Sequence, residues 1–269
     1  GLDSRLLALQ LKLLNYENVI CFNYGKSKSL ASRISEKTAE KLGYRWCFIE
    51  YSRKKWRENY FSSSFKKYFS SSGNLSSLPH IQDWLSIKYL LKNKLIDLDS
   101  IIVPGHTGDF LAYGHIPPKF EHVKDIDTLI LEIIFKHFRV NDIDSLKKDE
   151  LEKLKISILT TLNNPSFCKN DDAIKLFQYF DWKERQSKFI VNSLRVYDFF
   201  KMEWAIPFWD LDVINFWKNV PPKFKKDKFL YKKFIKKIDI YNVFEDMSIS
   251  NISFHSKSKN SNLNLLYKR

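Results

Sequence analysis

The sequence predicts an α/β protein in which a parallel-sheet sandwich, over residues 1–118, is followed by an α-helical subdomain. Three observations predict it. Segments with helical spacing alternate with short apolar runs through the first part of the chain. Turn residues such as Gly25, Gly43 and Pro104-Gly105 punctuate them, and after Pro117-Pro118 the strand signal fades while helical spacing continues. Strands joined through helices in this rhythm run parallel, with right-handed crossovers.

Residues 4–14 carry apolar side chains at helical spacing through Leu6, Leu7, Leu9, Leu13 and Leu14. Asn18-Val19-Ile20-Cys21-Phe22 is a short apolar strand. Residues 29–42 are amphipathic and stop at Gly43, and Trp46-Cys47-Phe48-Ile49 is the next strand. The stretch 52–78, rich in Ser, Lys and aromatics with little period, reads as a lid or a loosely ended helix. Residues 79–92 read as a helix, and Ser100-Ile101-Ile102-Val103 as a buried strand ending at Pro104-Gly105. Helices are expected at 127–138, 147–162, 173–180 and 182–200. The chain thus divides into an α/β part over 1–118, a mainly helical part over 119–246 and a Ser-, Asn- and Lys-rich tail over 247–269 that is expected to be poorly ordered.

With 269 residues and 44% hydrophobic content, the chain can bury a sizeable core. Cys21, Cys47 and Cys168 show neither CxxC nor zinc spacing, so inert buried thiols in a reducing cytoplasm are expected in place of a disulfide scaffold. No apolar run reaches the roughly 20 residues of a membrane span. A net charge of +14 asks for an anionic partner, with nucleic acid, anionic lipid or a nucleotide as candidates. Lysine greatly exceeds arginine, however, and the excess lies in stretches such as 223–237. A solvated basic face is therefore expected, not a nucleic-acid groove.

Four stretches carry chemistry. Gly1-Leu2-Asp3-Ser4 runs straight into a helix, and helix N-terminal amides with a small-residue turn suit a phosphate chain. Asp-Ser before an apolar run also reads as an ordinary N-cap. In Ile20-Cys21-Phe22-Asn23-Tyr24-Gly25 a strand ends at an aromatic and a glycine, where backbone groups near Phe22, Tyr24 and Gly25 are placed to read an adenine edge. In 101–115 an apolar strand opens into a loop with Gly105, Gly108 and Asp109, a layout for backbone amides and a carboxylate-held Mg²⁺ around a polyphosphate. His80 and Asp83, in Leu78-Pro79-His80-Ile81-Gln82-Asp83-Trp84, could serve an acceptor pocket beside the sheet, although N-terminal capping also explains Asp83. A zinc set of His106, Asp109 and His115 has no supporting ligand spacing.

Gly1-Leu2-Asp3-Ser4-Arg5 resembles the second half of the Ser-Gly-Gly-x-Asp-Ser pyrophosphate loop of the N-type ATP pyrophosphatases, in particular the synthetase domain of the asparagine synthetase family. Residues 101–115 resemble that family's second phosphate loop, Gly-x-Gly-x-Asp-Glu. The stretch from Arg195 through Pro207-Phe208-Trp209-Asp210 to Val220-Pro221 resembles its Glu-x-Arg-x-Pro-Phe-Leu-Asp segment. The likeness extends in order from residue 1 to about residue 240. Two positions depart from it: Phe110 stands where the family has Glu, and Ala205 where it has Arg.

The resemblance implies an adenine nucleotide alpha-hydrolase-like, Rossmann-like fold, a first strand and loop start lying ahead of Gly1, and ATP and Mg²⁺ as cofactors. Asp3 and Asp109 would hold the metal, Gly1, Ser4, Gly105 and Gly108 would form the cradle, and Lys228 would act as pyrophosphate leaves. The implied reaction adenylates an acceptor carboxylate or carbonyl oxygen and transfers ammonia or an amine, with ammonia supplied by a glutaminase domain or subunit. A small-molecule or sugar acceptor, as in surface polysaccharide synthesis, fits that chemistry. With half of its loop absent, the chain as it stands is expected to be inactive alone. An RNA-modifying ATP pyrophosphatase and a non-catalytic nucleotide-binding relative are the alternatives.

Overall fold

The two apolar runs marked as strands pair with each other. In the computed structural model, which describes residues 1–117, 120, 123–138, 147–165, 170–245 and 247, β1 (Ile20–Gly25) and β2 (Arg45–Glu50) form a parallel pair in register from Ile20↔Arg45 to Gly25↔Glu50. Helix α1 (Leu2–Leu13) precedes β1, and α2 (Leu30–Leu42) makes the crossover. The Ser29 hydroxyl caps α2 by accepting from the Ser32 amide at 3.2 Å, and Gly43 ends it in the left-handed region at φ 67°, where a side chain would be strained.

The wider parallel sandwich expected from the sequence is reduced, among the described residues, to this two-stranded sheet plus one bridge. Ile102 bridges Trp204 in parallel: its amide donates to the Glu203 carbonyl and its carbonyl accepts from the Ala205 amide, both at 2.9 Å. The expected strand at 100–103 stops there because Pro104 has no amide to extend a ladder. Ile102 still faces the same core as Phe22 and Tyr24, and Val103 the same core as Cys21, the alternation of a strand in one layer.

Most of the remaining chain is helical. Residues 52–78, read from sequence as a lid or loose helix, hold two: α3 (Arg53–Tyr60) and α4 (Ser63–Ser72). The serines that looked like loop composition are their caps, since Ser52 accepts from Lys55 N and Ser62 from Phe65 N, each at 3.2 Å. Then come α5 (Gln82–Lys92), the single turn α6 (Gly108–Leu111), α7 (Ile126–Ile133) running into a π-helical turn at Ile134–Phe138, and α8 (Lys148–Thr161). Helix α9 (Asn170–Phe180) continues as a π-helical stretch, Asp181–Val191, then a 3₁₀ turn and α10 (Arg195–Phe199), so the helices expected at 173–180 and 182–200 are one run with changing pitch. The chain closes with α11 (Leu211–Asn219), α12 (Pro222–Lys225) and α13 (Phe229–Ile238). Cys168, residues 118 and 119 and the tail beyond Met247 lie outside the described residues. No helix among those described is long and apolar enough to cross a membrane.

Three clusters of buried side chains hold this arrangement. One gathers α1 and α13 with Ala39, Leu42, Phe110, Leu111 and Phe208; a second gathers α4, α5 and α10 around Trp84; a third joins α7, α8 and α9. Burial raises both Cys21 and Cys47, Cys21 to about 11, so neither is a thiolate near neutral pH. In the third cluster, His137 lies against Phe177 and Phe180, with ring centroids 5.4 and 5.3 Å away, and burial lowers its pKa to about 4. The unfolded chain therefore binds the proton more readily than the folded one, and stability is lost as pH falls from about 6.5 toward 4. His137→Phe should flatten that part of a melting-temperature profile by on the order of 2 kcal/mol; an unchanged profile would exclude His137 as the cause.

Candidate functional site

Helix α1 starts at Leu2 with Gly1 as its cap residue and no side chain capping it. Asp3 and Ser4 lie inside the first helical turn, which removes the ordinary N-cap reading of Asp-Ser. Against this turn runs the loop after Ile102. A Cβ at Gly105 would lie 2.6 Å from the Ser4 amide nitrogen, and one at Gly108 would lie 2.6 Å from Asp3 Cγ, so backbone is applied directly to backbone and carboxylate, where only glycine fits. Thr107, between them, adopts φ 76°. The approach delivers Asp109, in α6, to Asp3: the Asp109 backbone hydrogen-bonds the Asp3 carboxylate.

The opposite side of the pair comes from α13. Lys228, its cap residue at φ 59°, forms an ion pair with Asp109, and one turn on Tyr231 Oη donates to Asp3 Oδ1 at 2.8 Å. Burial, followed by the charge of Asp109, raises Asp3 above the usual carboxylate pKa, against the opposing pull of Tyr231 and Lys228. Burial and the Asp3 charge likewise push the Tyr231 phenol upward. Nearby, Lys225 is only 4% exposed; burial lowers its pKa to about 8, and it lies 4.8 Å from the Tyr113 ring centroid.

The structure thus brings Asp3, Ser4, Gly105, Gly108, Asp109 and Lys228 together, with Gly1 capping the same turn. Phe22, Tyr24 and Gly25 lie elsewhere. The Phe22 and Tyr24 side chains enter the second core, the Tyr24 hydroxyl bonds Asp83, and its ring stacks on Tyr51 with centroids 4.8 Å apart. Gly25 ends β1 at φ 127°, and its carbonyl accepts from the Tyr51 amide at 2.8 Å.

Asp83 heads a second polar centre. It is 6% exposed, in the first turn of α5, and caps nothing: its oxygens accept from the hydroxyls of Tyr24 and Tyr197, the latter at 2.7 Å. His80 and His106 feel its charge. Burial nevertheless lowers both imidazoles, which keeps them neutral near pH 7, and their Nδ1 atoms are buried without a hydrogen-bond partner. His106 belongs to the loop that carries Gly105 and Gly108, so one loop separates the two centres. The zinc reading fails: among the described residues no group of three His, Cys, Asp or Glu is placed to hold a metal, because His106 faces Asp83, Asp109 faces Lys228 and His115 faces Asp181.

No protein-family model matches this chain, and no curated protein matches it.

Three site features escaped the sequence. Tyr231 could have been found, since it lies three residues after Lys228, a spacing that puts two side chains on one face wherever the chain is helical. Tyr197 and Asp181 could not, because their partners, Asp83 and His115, are 114 and 66 residues away. In the segment likened to Pro-Phe-Leu-Asp, Asp210 caps α11 by accepting from the amides of Asp212 and Val213, and Ala205 contributes its amide to Ile102.

Proposed function

We propose that this chain is an asparagine synthetase-like, ATP-dependent ligase, and that its helical and parallel-strand layers are a variant of the adenine nucleotide alpha-hydrolase-like sandwich. One observation carries the reading: two glycines press the Asp109 loop onto the first turn of α1, so that Asp3 and Asp109 meet beside Lys228. The groups suit Mg²⁺ and a polyphosphate. A Cβ would fill the turn at either glycine, and Mg²⁺ is commonly held by one or two carboxylates with phosphate oxygens completing its shell.

Asp3 and Asp109 would hold the metal. Lys228 would turn from Asp109 toward phosphate oxygens and offset charge on departing pyrophosphate. Gly1, Ser4, Gly105 and Gly108 would offer the small-residue cradle at the start of α1. Bound ATP would supply an adenylyl group to an acceptor oxygen, after which ammonia or an amine displaces AMP.

His80 and His106 would face the acceptor, a small molecule or sugar, with Asp83 held behind them by Tyr24 and Tyr197, and ammonia would come from a glutaminase domain or subunit. Phe110, buried in the first core where the family has Glu, indicates that the acceptor half differs from that of an asparagine synthetase. The reading suits a cytoplasmic protein. Its test is calorimetry of Mg²⁺·ATP binding to the full-length protein and to Asp109→Ala, followed by a search for acceptors by pyrophosphate release. Micromolar binding that vanishes in the variant is expected; no binding to the wild type would overturn the reading in favour of a non-catalytic relative.

A further inference from the structure

The end of the Asp109 loop is tied to the helical part by a buried acid that the proposed chemistry does not use. Gly114 closes against Asp109: its amide donates to the Asp109 carbonyl at 2.8 Å, and a Cβ on it would lie 2.7 Å from Asp109 Cγ. The next residue, His115, places Nδ1 2.5 Å from Asp181 Oδ2, with side chains 17% and 1% exposed. Gln186 Nε2 lies 3.3 Å from the same ring nitrogen, and Arg185 Nη1 lies 3.4 Å from both.

Pitch explains how Asp181 and Gln186 reach one imidazole. They are five residues apart in the π-helical stretch Asp181–Val191, whose i to i+5 repeat stacks them on one face; an α-helix would swing them apart. Burial alone would raise Asp181, but the hydrogen bond and charge of His115 and the charge of Arg185 hold it below the usual range, so it stays an anionic anchor.

We propose that Asp181 is a positioning residue for Asp109. Through His115 it fixes the backbone of Gly114, and that backbone limits where the Asp109 carboxylate can point. The inference rests on the reading of Asp109 as a metal ligand.

The test uses the full-length protein, with amide hydrogen exchange of residues 109–115 in the absence of ligand and Mn²⁺ binding in the presence of ATP followed by electron paramagnetic resonance. Asp181→Ala and His115→Ala should speed exchange in 109–115 while β1 and β2 keep their protection, and should weaken Mn²⁺ binding roughly tenfold, as loss of an outer-shell partner commonly does. His115→Gln, whose amide can still donate to Asp181, should keep Mn²⁺ affinity near that of the wild type. Unchanged exchange in 109–115 for both disrupting variants, or equal losses in His115→Ala and His115→Gln, would overturn the proposal. If wild type binds no Mn²⁺ with ATP, the ligase reading fails, and the exchange measurement alone decides whether Asp181 holds this loop.

Discussion

Asp83→Ala is expected to destabilise the protein by about 3–5 kcal/mol, because it leaves two buried tyrosine hydroxyls without an acceptor and opens a void beside them. Both carboxylate oxygens are in use, one by Tyr24 and one by Tyr197, and the acid joins β1, α5 and α10 in the core around Trp84. Tyr51 adds no further bond to the carboxylate: its hydroxyl donates to the Gln82 carbonyl at 2.5 Å and accepts from the Ser86 amide at 3.1 Å. Burial and the Asp83 charge raise the Tyr24 and Tyr197 phenols, so both remain donors across the ordinary pH range. Urea unfolding at pH 7 measures the effect, with Tyr24→Phe and Tyr197→Phe as partners that should each lose only about 1 kcal/mol. A loss below that for Asp83→Ala would mean that the acid contributes little to the fold.

The second large effect is expected at Asp3. Its pKa is raised in the folded protein by burial and by Asp109, so folding is favoured with the acid protonated, and that contribution is lost as pH rises through the folded pKa. Asp3→Asn removes the unfavourable charge but keeps an oxygen for the Tyr231 hydroxyl at 2.8 Å. The ligand-free variant should therefore melt higher than wild type at neutral pH. Mg²⁺·ATP should raise the wild-type melting temperature and leave the variant unmoved, with affinity reduced by more than about 100-fold. An acid kept for the fold alone would give the reverse pattern: a lower melting temperature and no change in ligand response.

The elements that were legible in the sequence are those whose signals are local. The apolar runs of β1 and β2, the amphipathic α2 and its stop at Gly43 all follow from residues within a few positions of one another. Residues 52–78 misled because serine is both a loop residue and a helix cap, and composition cannot distinguish Ser52 and Ser62 as caps from Ser70 and Ser71 inside or near a helix end. Ser100–Val103 has a strand's composition, yet Pro104 cuts it to a bridge. Changes of pitch at Ile134 and Asp181 leave no mark in an apolar period. At the candidate site, glycine and acid spacing singled out Asp3, Gly105, Gly108 and Asp109, which the fold gathers. Tyr24 went to Asp83 instead of an open strand end, because that pairing depends on a residue 59 positions on.

Helix α13 carries both clasps of the carboxylate pair, Lys228 on Asp109 and Tyr231 on Asp3, three residues apart. The two contacts are consequently not independent switches. A rigid shift of this helix would lengthen both at once, because both contacts are made from residues three apart at its start. The C-terminal segment beyond it is fastened to α1 by Arg5, whose Nη1 donates to the Val243 carbonyl at 3.1 Å and whose guanidinium lies 4.8 Å from the Phe244 ring centroid. The first turn of α1 and the segment that follows α13 are thus joined twice, once through the carboxylates at the start of α13 and once through Arg5 beyond its end.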